Sequence, residues 1–188
     1  MSEGFDTKQR VLLLTGAPGV GKTTVIRRVA ESLGPNHLRG FYTEEIREGG
    51  ERRGFRLVSF DRTAHVIAHV NFPKTHAVGK YGVDVRALDD AARLLRPQPE
   101  PRIYLVDEIG KMECLSDRFV AAMRALLFCE APVVATVGAR GEGFIAEVKR
   151  LPECELWEVT ASNRNDLPAR IVAWLGRKSG PPDVRRME

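Results

Sequence analysis

Cysteine is scarce in this chain. The 188 residues contain three, Cys114, Cys129 and Cys154. They are odd in number, far apart, and form neither a C-x-x-C nor a zinc-ligand spacing. A disulfide framework is excluded, and reduced thiols in a cytoplasm are the expectation. Long apolar runs are missing too. No stretch approaches the roughly 18 residues that argue for a membrane span. Residues Met1–Asp6 hold neither a basic region nor an apolar one, so no secretory signal is expected. There is no internal repeat and no low-complexity tract. Charge of one sign does not accumulate either. The net charge is +4, with acids interleaved among dispersed Arg and Lys, which permits nucleic-acid contact without arguing for it. His65 and His69 share one strand face but have no further ligand nearby in sequence, so they are not read as a metal pair.

What remains is ordinary material for one folded unit. The chain is 43% hydrophobic and 29% charged, enough for a single core. One domain is expected over 10–176, between a flexible N-terminus at 1–9 and a flexible tail at 177–188. A monomer is expected.

The informative stretch is Gly16-Ala17-Pro18-Gly19-Val20-Gly21-Lys22-Thr23, followed by Thr24. It fits G-x-x-x-x-G-K-[ST] at every fixed position. An apolar run of strand length, Arg10–Thr15, precedes it, and a segment with apolar residues at 25, 26, 29, 30 and 33 follows it at helical spacing. Strand, glycine-rich turn and helix start form a phosphate-binding loop. Glycines let the backbone turn tightly, its N–H groups line one concavity, and the helix adds its positive end. Lys22 then reaches the β- and γ-phosphates, and the Thr23 hydroxyl ligates Mg²⁺. A second signal is Ile103–Val106, an apolar run of the kind buried on both faces of a parallel sheet, ending in Asp107-Glu108. Asp107 would hold Mg²⁺ through water. Glu108 would act as general base on a water beside the γ-phosphate.

The rest of the chain alternates. Extended segments are expected at 38–47, 53–60 and 64–70, joined by turns as an antiparallel hairpin region at the edge of, or above, a parallel sheet. Helices are expected over 83–95, from a Ser116 cap through 127, over 142–151 and over 167–175. A buried strand is expected at 132–137 and an alternating last strand at 155–160, and 97–101 is a stiff proline connector. This is an α/β fold, a mostly parallel sheet with helices on both faces, and its ligand site belongs at the C-terminal strand ends.

Further residues carry two readings each. Lys111 either pairs with a nearby carboxylate or approaches the γ-phosphate. Glu113 reads as a helix-start or salt-bridge residue ahead of a second base. Thr136 ends a strand and either simply favours β structure or binds the attacking water. Arg140, in a glycine-rich loop, is a solvated charge or an arginine finger in cis. Asn163 and Arg164 contact the base or serve as turn and cap residues. Arg47 and Arg56 read as strand-face charges.

With those motifs in place, the chain resembles the THEP-type nucleoside-triphosphatases over about 10–175. The marks are Gly16–Thr24, 40–47, Arg53-Gly54-Phe55, 78–84, Asp107–Glu113 and 160–165. The resemblance implies a P-loop NTPase fold with an extra strand between the two motif strands. It also implies slow, Mg²⁺-dependent hydrolysis of ATP, GTP, CTP and UTP to diphosphates, with little base selectivity. Two alternatives stand beside it. One is a small-molecule kinase with 138–150 as its lid, and the other is a nucleotide-gated RNA-interacting protein.

Overall fold

A computed structural model describes residues 9–98 and 102–178. Its nine strands are β1 (Val11–Thr15), β2 (Leu38–Glu48), β3 (Glu51–Ser59), β4 (Ala64–His69), β5 (Ala77–Val78), β6 (Tyr81–Val83), β7 (Ile103–Ile109), β8 (Val133–Val137) and β9 (Cys154–Glu158). They form one sheet in the order β5-β6-β4-β3-β2-β7-β8-β1-β9. The half from β2 to β9 is parallel, and β3 to β6 add to it antiparallel. β8 lies between β1 and β7, so the expected extra strand between the two motif strands is present. The hairpin region is an extension of the same sheet rather than a layer above it. β2 makes the join: Leu38–Phe41 run parallel to Ile103–Val106, and Phe41–Glu48 then run antiparallel to β3.

Five α-helices flank the sheet: α1 (Lys22–Leu33), α2 (Val85–Ala91), α3 (Asp117–Leu127), α4 (Phe144–Val148) and α5 (Leu167–Lys178). Alternate residues of β1 show why both faces need cover. Val11 and Leu13 enter the apolar cluster that holds Phe119 and Met123. Leu12 and Leu14 enter the one that holds Ile26 and Trp174. Strands buried on both sides read as continuous apolar runs.

Several boundaries differ from expectation, three of them with an evident local cause. The 83–95 helix begins two residues late: Val83 closes β6, Asp84 caps α2 by accepting from the amides of Arg86 and Ala87, and 92–95 tighten into a 3-10 turn. The helix expected over 142–151 is confined to α4, because Gly143 sits at φ 55°, ψ −129° and the α conformation stops at Lys149. The tail expected to be flexible from 177 is helical through Lys178. Trp174 Nε1 donates to Glu155 Oε1 at 2.9 Å, and Lys178 Nζ lies 3.7 Å from the same oxygen. Residues 1–8, most of the 97–101 connector and 179–188 lie outside the described residues.

Candidate active site

The loop after β1 closes as its composition requires. Gly16, Gly19 and Gly21 have φ of 153°, 76° and 112°, and the last two lie in the left-handed region that glycine enters freely. Gly21 is the N-cap of α1, so the helix starts at Lys22 with its amides facing the loop. Ala17, Pro18 and Gly19 are exposed at the rim, and Thr24 is exposed on the first turn. Val20 N–H closes the turn on the Ala17 carbonyl. Lys22 Nζ donates to the Gly16 carbonyl at 3.2 Å and lies 3.7 Å from Glu108 Oε2. The cation is thus held over the loop, where phosphate oxygens would sit.

Asp107 comes to this loop from the C-terminal half of β7 and is 1% exposed. Three threonines hold it. Thr23 Oγ1 donates to Oδ2 at 2.6 Å, Thr136 Oγ1 to Oδ1 at 2.6 Å, and Thr43 Oγ1 to Oδ2 at 3.3 Å. Thr136 is fully buried, so the reading in which it binds the attacking water gives way. Its hydroxyl is spent on orienting Asp107. Thr43 is a site residue that the sequence reading assigned no role. It lies just where β2 outruns β7, a register that only the fold supplies.

Glu108, next along, lines the cleft. Burial raises its pKa from the ordinary carboxylate value, the Lys22 ammonium works against that rise, and the Asp107 charge adds to it. The cleft encloses about 1240 Å³ and runs from Gly16–Thr24 past Glu108 to Arg52, Phe55 and Ile67 on the antiparallel extension. Lys111 and Arg140 both line it, both are exposed, and neither makes an ion pair among the described residues. Lys111 is therefore not the local neutraliser of Asp107 or Glu108. Arg47 and Arg56 are strand-face charges, paired with Glu45 and Glu44 respectively. Glu113 is buried and makes no ion pair among the described residues, so a salt-bridge role for it is replaced by burial beside Glu108.

Beyond β9, Asn163 is occupied by its own turn. Oδ1 accepts from the Thr160 amide at 2.9 Å and Nδ2 donates to the Glu158 carbonyl at 2.8 Å. The reading in which its amide binds the base gives way to turn formation. Arg164 is exposed and donates to the Val20 carbonyl at 3.2 Å, which lays its side chain along the phosphate loop. Segment 138–150 is fastened down rather than hinged. Phe144, Ile145 and Val148 are buried, Arg124 bridges Glu147, and Lys149 donates to the Ala139 carbonyl.

The donor set fits magnesium. Thr23 Oγ1 and Asp107 Oδ2 are adjoining hard oxygens 2.6 Å apart, and among the described residues no group of three or more His, Cys, Asp or Glu could cage a metal. Mg²⁺ is typically held by one or two protein oxygens plus phosphates and water.

A family model described as NTPase matches residues 11–172. Nucleoside-triphosphatase THEP1 of Thermotoga sp. (strain RQ2) is 36% identical over 166 residues, covering 87% of this chain and 94% of that protein. The human cancer-related nucleoside-triphosphatase is 34% identical over 180 residues, covering 87% and 95%. The crystal structure of THEP1 from the hyperthermophile Aquifex aeolicus superposes with a TM-score of 0.81 at 33% identity, covering 88% of this chain and 98% of that one.

Proposed function

The chain belongs to the NTPase family, that of the THEP1 nucleoside-triphosphatases, and from that premise we propose that it hydrolyses nucleoside triphosphates to diphosphate and phosphate with Mg²⁺. The observation that carries the reading is the convergence of Lys22, Thr23, Asp107 and Glu108 at adjoining strand ends. The loop amides and Lys22 bind the phosphate tail and neutralise charge passing to the leaving diphosphate. Thr23, and Asp107 through water, would hold Mg²⁺, which would supply further positive charge to the phosphates. Glu108 takes the proton of the attacking water, and its raised pKa suits a base working near neutrality. Arg140 is the candidate finger toward the γ-phosphate, and Lys111 a second cation at the same edge.

The binding determinants lie on the phosphates, which supports low selectivity among ATP, GTP, CTP and UTP; Arg164 is the remaining candidate for contact with the base. The fastened 138–150 segment favours hydrolysis over a kinase with a closing lid. Three free thiols support a reducing, cytoplasmic setting. Replacing Glu108→Gln is expected to keep nucleotide binding while phosphate release falls by about 10²-fold or more. Phosphate release from that variant at the parental rate, with any of the four triphosphates, would overturn the assignment.

A further inference from the structure

A second carboxyl lies where the proposed mechanism leaves it unused. Glu113 opens the 3-10 turn Glu113–Leu115, is 5% exposed, and lines the same cleft as Glu108. Gly110 lies between the two. A methyl group placed on its Cα would stand 2.8 Å from Glu108 Oε1 and 2.8 Å from Glu113 Oε2. The two oxygens are therefore no farther apart than twice that distance, and both overhang Gly110, which has no side chain to part them. This separation is within reach of a hydrogen bond from one carboxyl group to the other, direct or across a single water.

We propose that Glu113 is a positioning residue for hydrolysis, a neutral acid that donates toward Glu108 Oε1 and so keeps the neighbouring carboxyl group aimed at the attacking water. The proposal rests on the base role of Glu108. In the chemical step the water oxygen bonds to the γ-phosphorus and the bond from that phosphorus to the β,γ-bridging oxygen breaks. The bond's electron pair leaves with the diphosphate, and the water proton passes to Glu108. Glu113 keeps its own proton throughout. The titratable groups facing it are Glu108 and Asp107 of β7 and the adjoining Cys114. Lys22 acts on Glu108 from α1, and Lys111 and Arg140 line the cleft. Burial first, then Glu108 and Asp107, push the Glu113 carboxyl up to about 8, against the hydrogen bonds it accepts from the Glu113 and Gly110 amides. Two ionised glutamates at this distance, beside a polyphosphate, would repel both each other and the substrate.

The test is a pH series of kcat and kcat/KM for Mg-ATP with the full chain, its Glu113→Gln and Glu113→Ala variants, and Glu108→Gln in parallel. In the parent protein kcat/KM is expected to fall as pH rises through about 8, where Glu113 loses its proton. Glu113→Ala is expected to lower kcat about tenfold with little change in KM. Glu113→Gln, which keeps a neutral donor of the same size, is expected to restore most of that kcat and to abolish the alkaline fall. An alkaline fall that survives unchanged in Glu113→Gln, or equal damage from Gln and Ala, overturns the role of Glu113. Full turnover by Glu108→Gln instead overturns the base assignment beneath it. Binding of Mg-ADP by each variant, followed by calorimetry, confirms that the compared proteins are folded.

Discussion

Asp107 shows how a single residue is prepared before any substrate arrives. Its carboxylate is nearly inaccessible and takes hydroxyl donors from α1, β2 and β8 at once. Such a charge is tolerated in a core only when its lone pairs are satisfied. Thr136 supplies the one donor of the three that is wholly buried. Thr136→Val keeps the shape and removes the hydroxyl, leaving Oδ1 without that partner. The expected cost is about 1–3 kcal/mol in urea unfolding, together with a loss of phosphate release, whereas Thr136→Ser stays close to the parent in both. Equal stability of the valine variant would mean that the Thr136 bond is dispensable. The cysteines make the opposite case. Burial pushes Cys114 up to about 12 and Cys154 up to about 11, so both remain thiols and neither is primed as a nucleophile.

Among the elements, β2 determines most about the cleft. Its first residues pair in parallel with β7, and its last seven continue past the point where that pairing ends, carrying β3 and β4 with them. The overhang becomes the cleft wall that bears Arg52, Phe55 and Ile67. Gly40 lets β2 lie against β7: its φ is 100°, it is paired with Leu105, and an added Cβ would lie 2.1 Å from the Leu105 carbonyl oxygen. Gly40→Ala must therefore shift backbone against backbone. It is expected to cost more than about 3 kcal/mol in chemical denaturation, while Gly49→Ala, at φ 56° with nothing within 4 Å, costs about 1–2 kcal/mol. A Gly40→Ala protein as stable as the Gly49→Ala one would show that this strand is not tightly held. Both motif elements, β1 with its loop and β7 with its two acids, were legible from the sequence, because local spacing alone defines them. The continuation of β2 was legible as an extended segment but not as a bridge between two parts of the sheet. Its apolar pattern says which residues are buried, not which strand lies beside them. The 142–151 segment misled for a related reason. Its apolar spacing is helical, and the conformation of Gly143, which apolar spacing does not report, sets where the helix starts.

For the whole molecule, the site is a property of strand order. Placing β8 between β1 and β7 sets the phosphate loop one strand away from the acid pair, with Thr136 of the intervening strand bonded to Asp107. Open α/β sheets bind ligands in such crevices at the carboxyl ends of their strands. Because the loop, α1, β2, β7 and β8 all meet there, a bound nucleotide should tie the parallel half of the sheet together and raise its unfolding temperature. Occupancy at a hundred times the dissociation constant adds about 2.7 kcal/mol, or roughly 5–10 °C for a protein of this size. The Glu108→Gln variant with ATP and Mg²⁺ is the suitable sample, since it is expected to bind without consuming the ligand. Thr23 and Asp107 are the proposed protein groups for the metal. EDTA should therefore remove a large part of the shift, and Thr23→Ala should abolish the part that depends on Mg²⁺ while leaving a smaller metal-independent rise from the loop and Lys22. A shift of the same size with and without EDTA would place the metal elsewhere and leave the hydrogen bond between Thr23 and Asp107 as a purely structural contact.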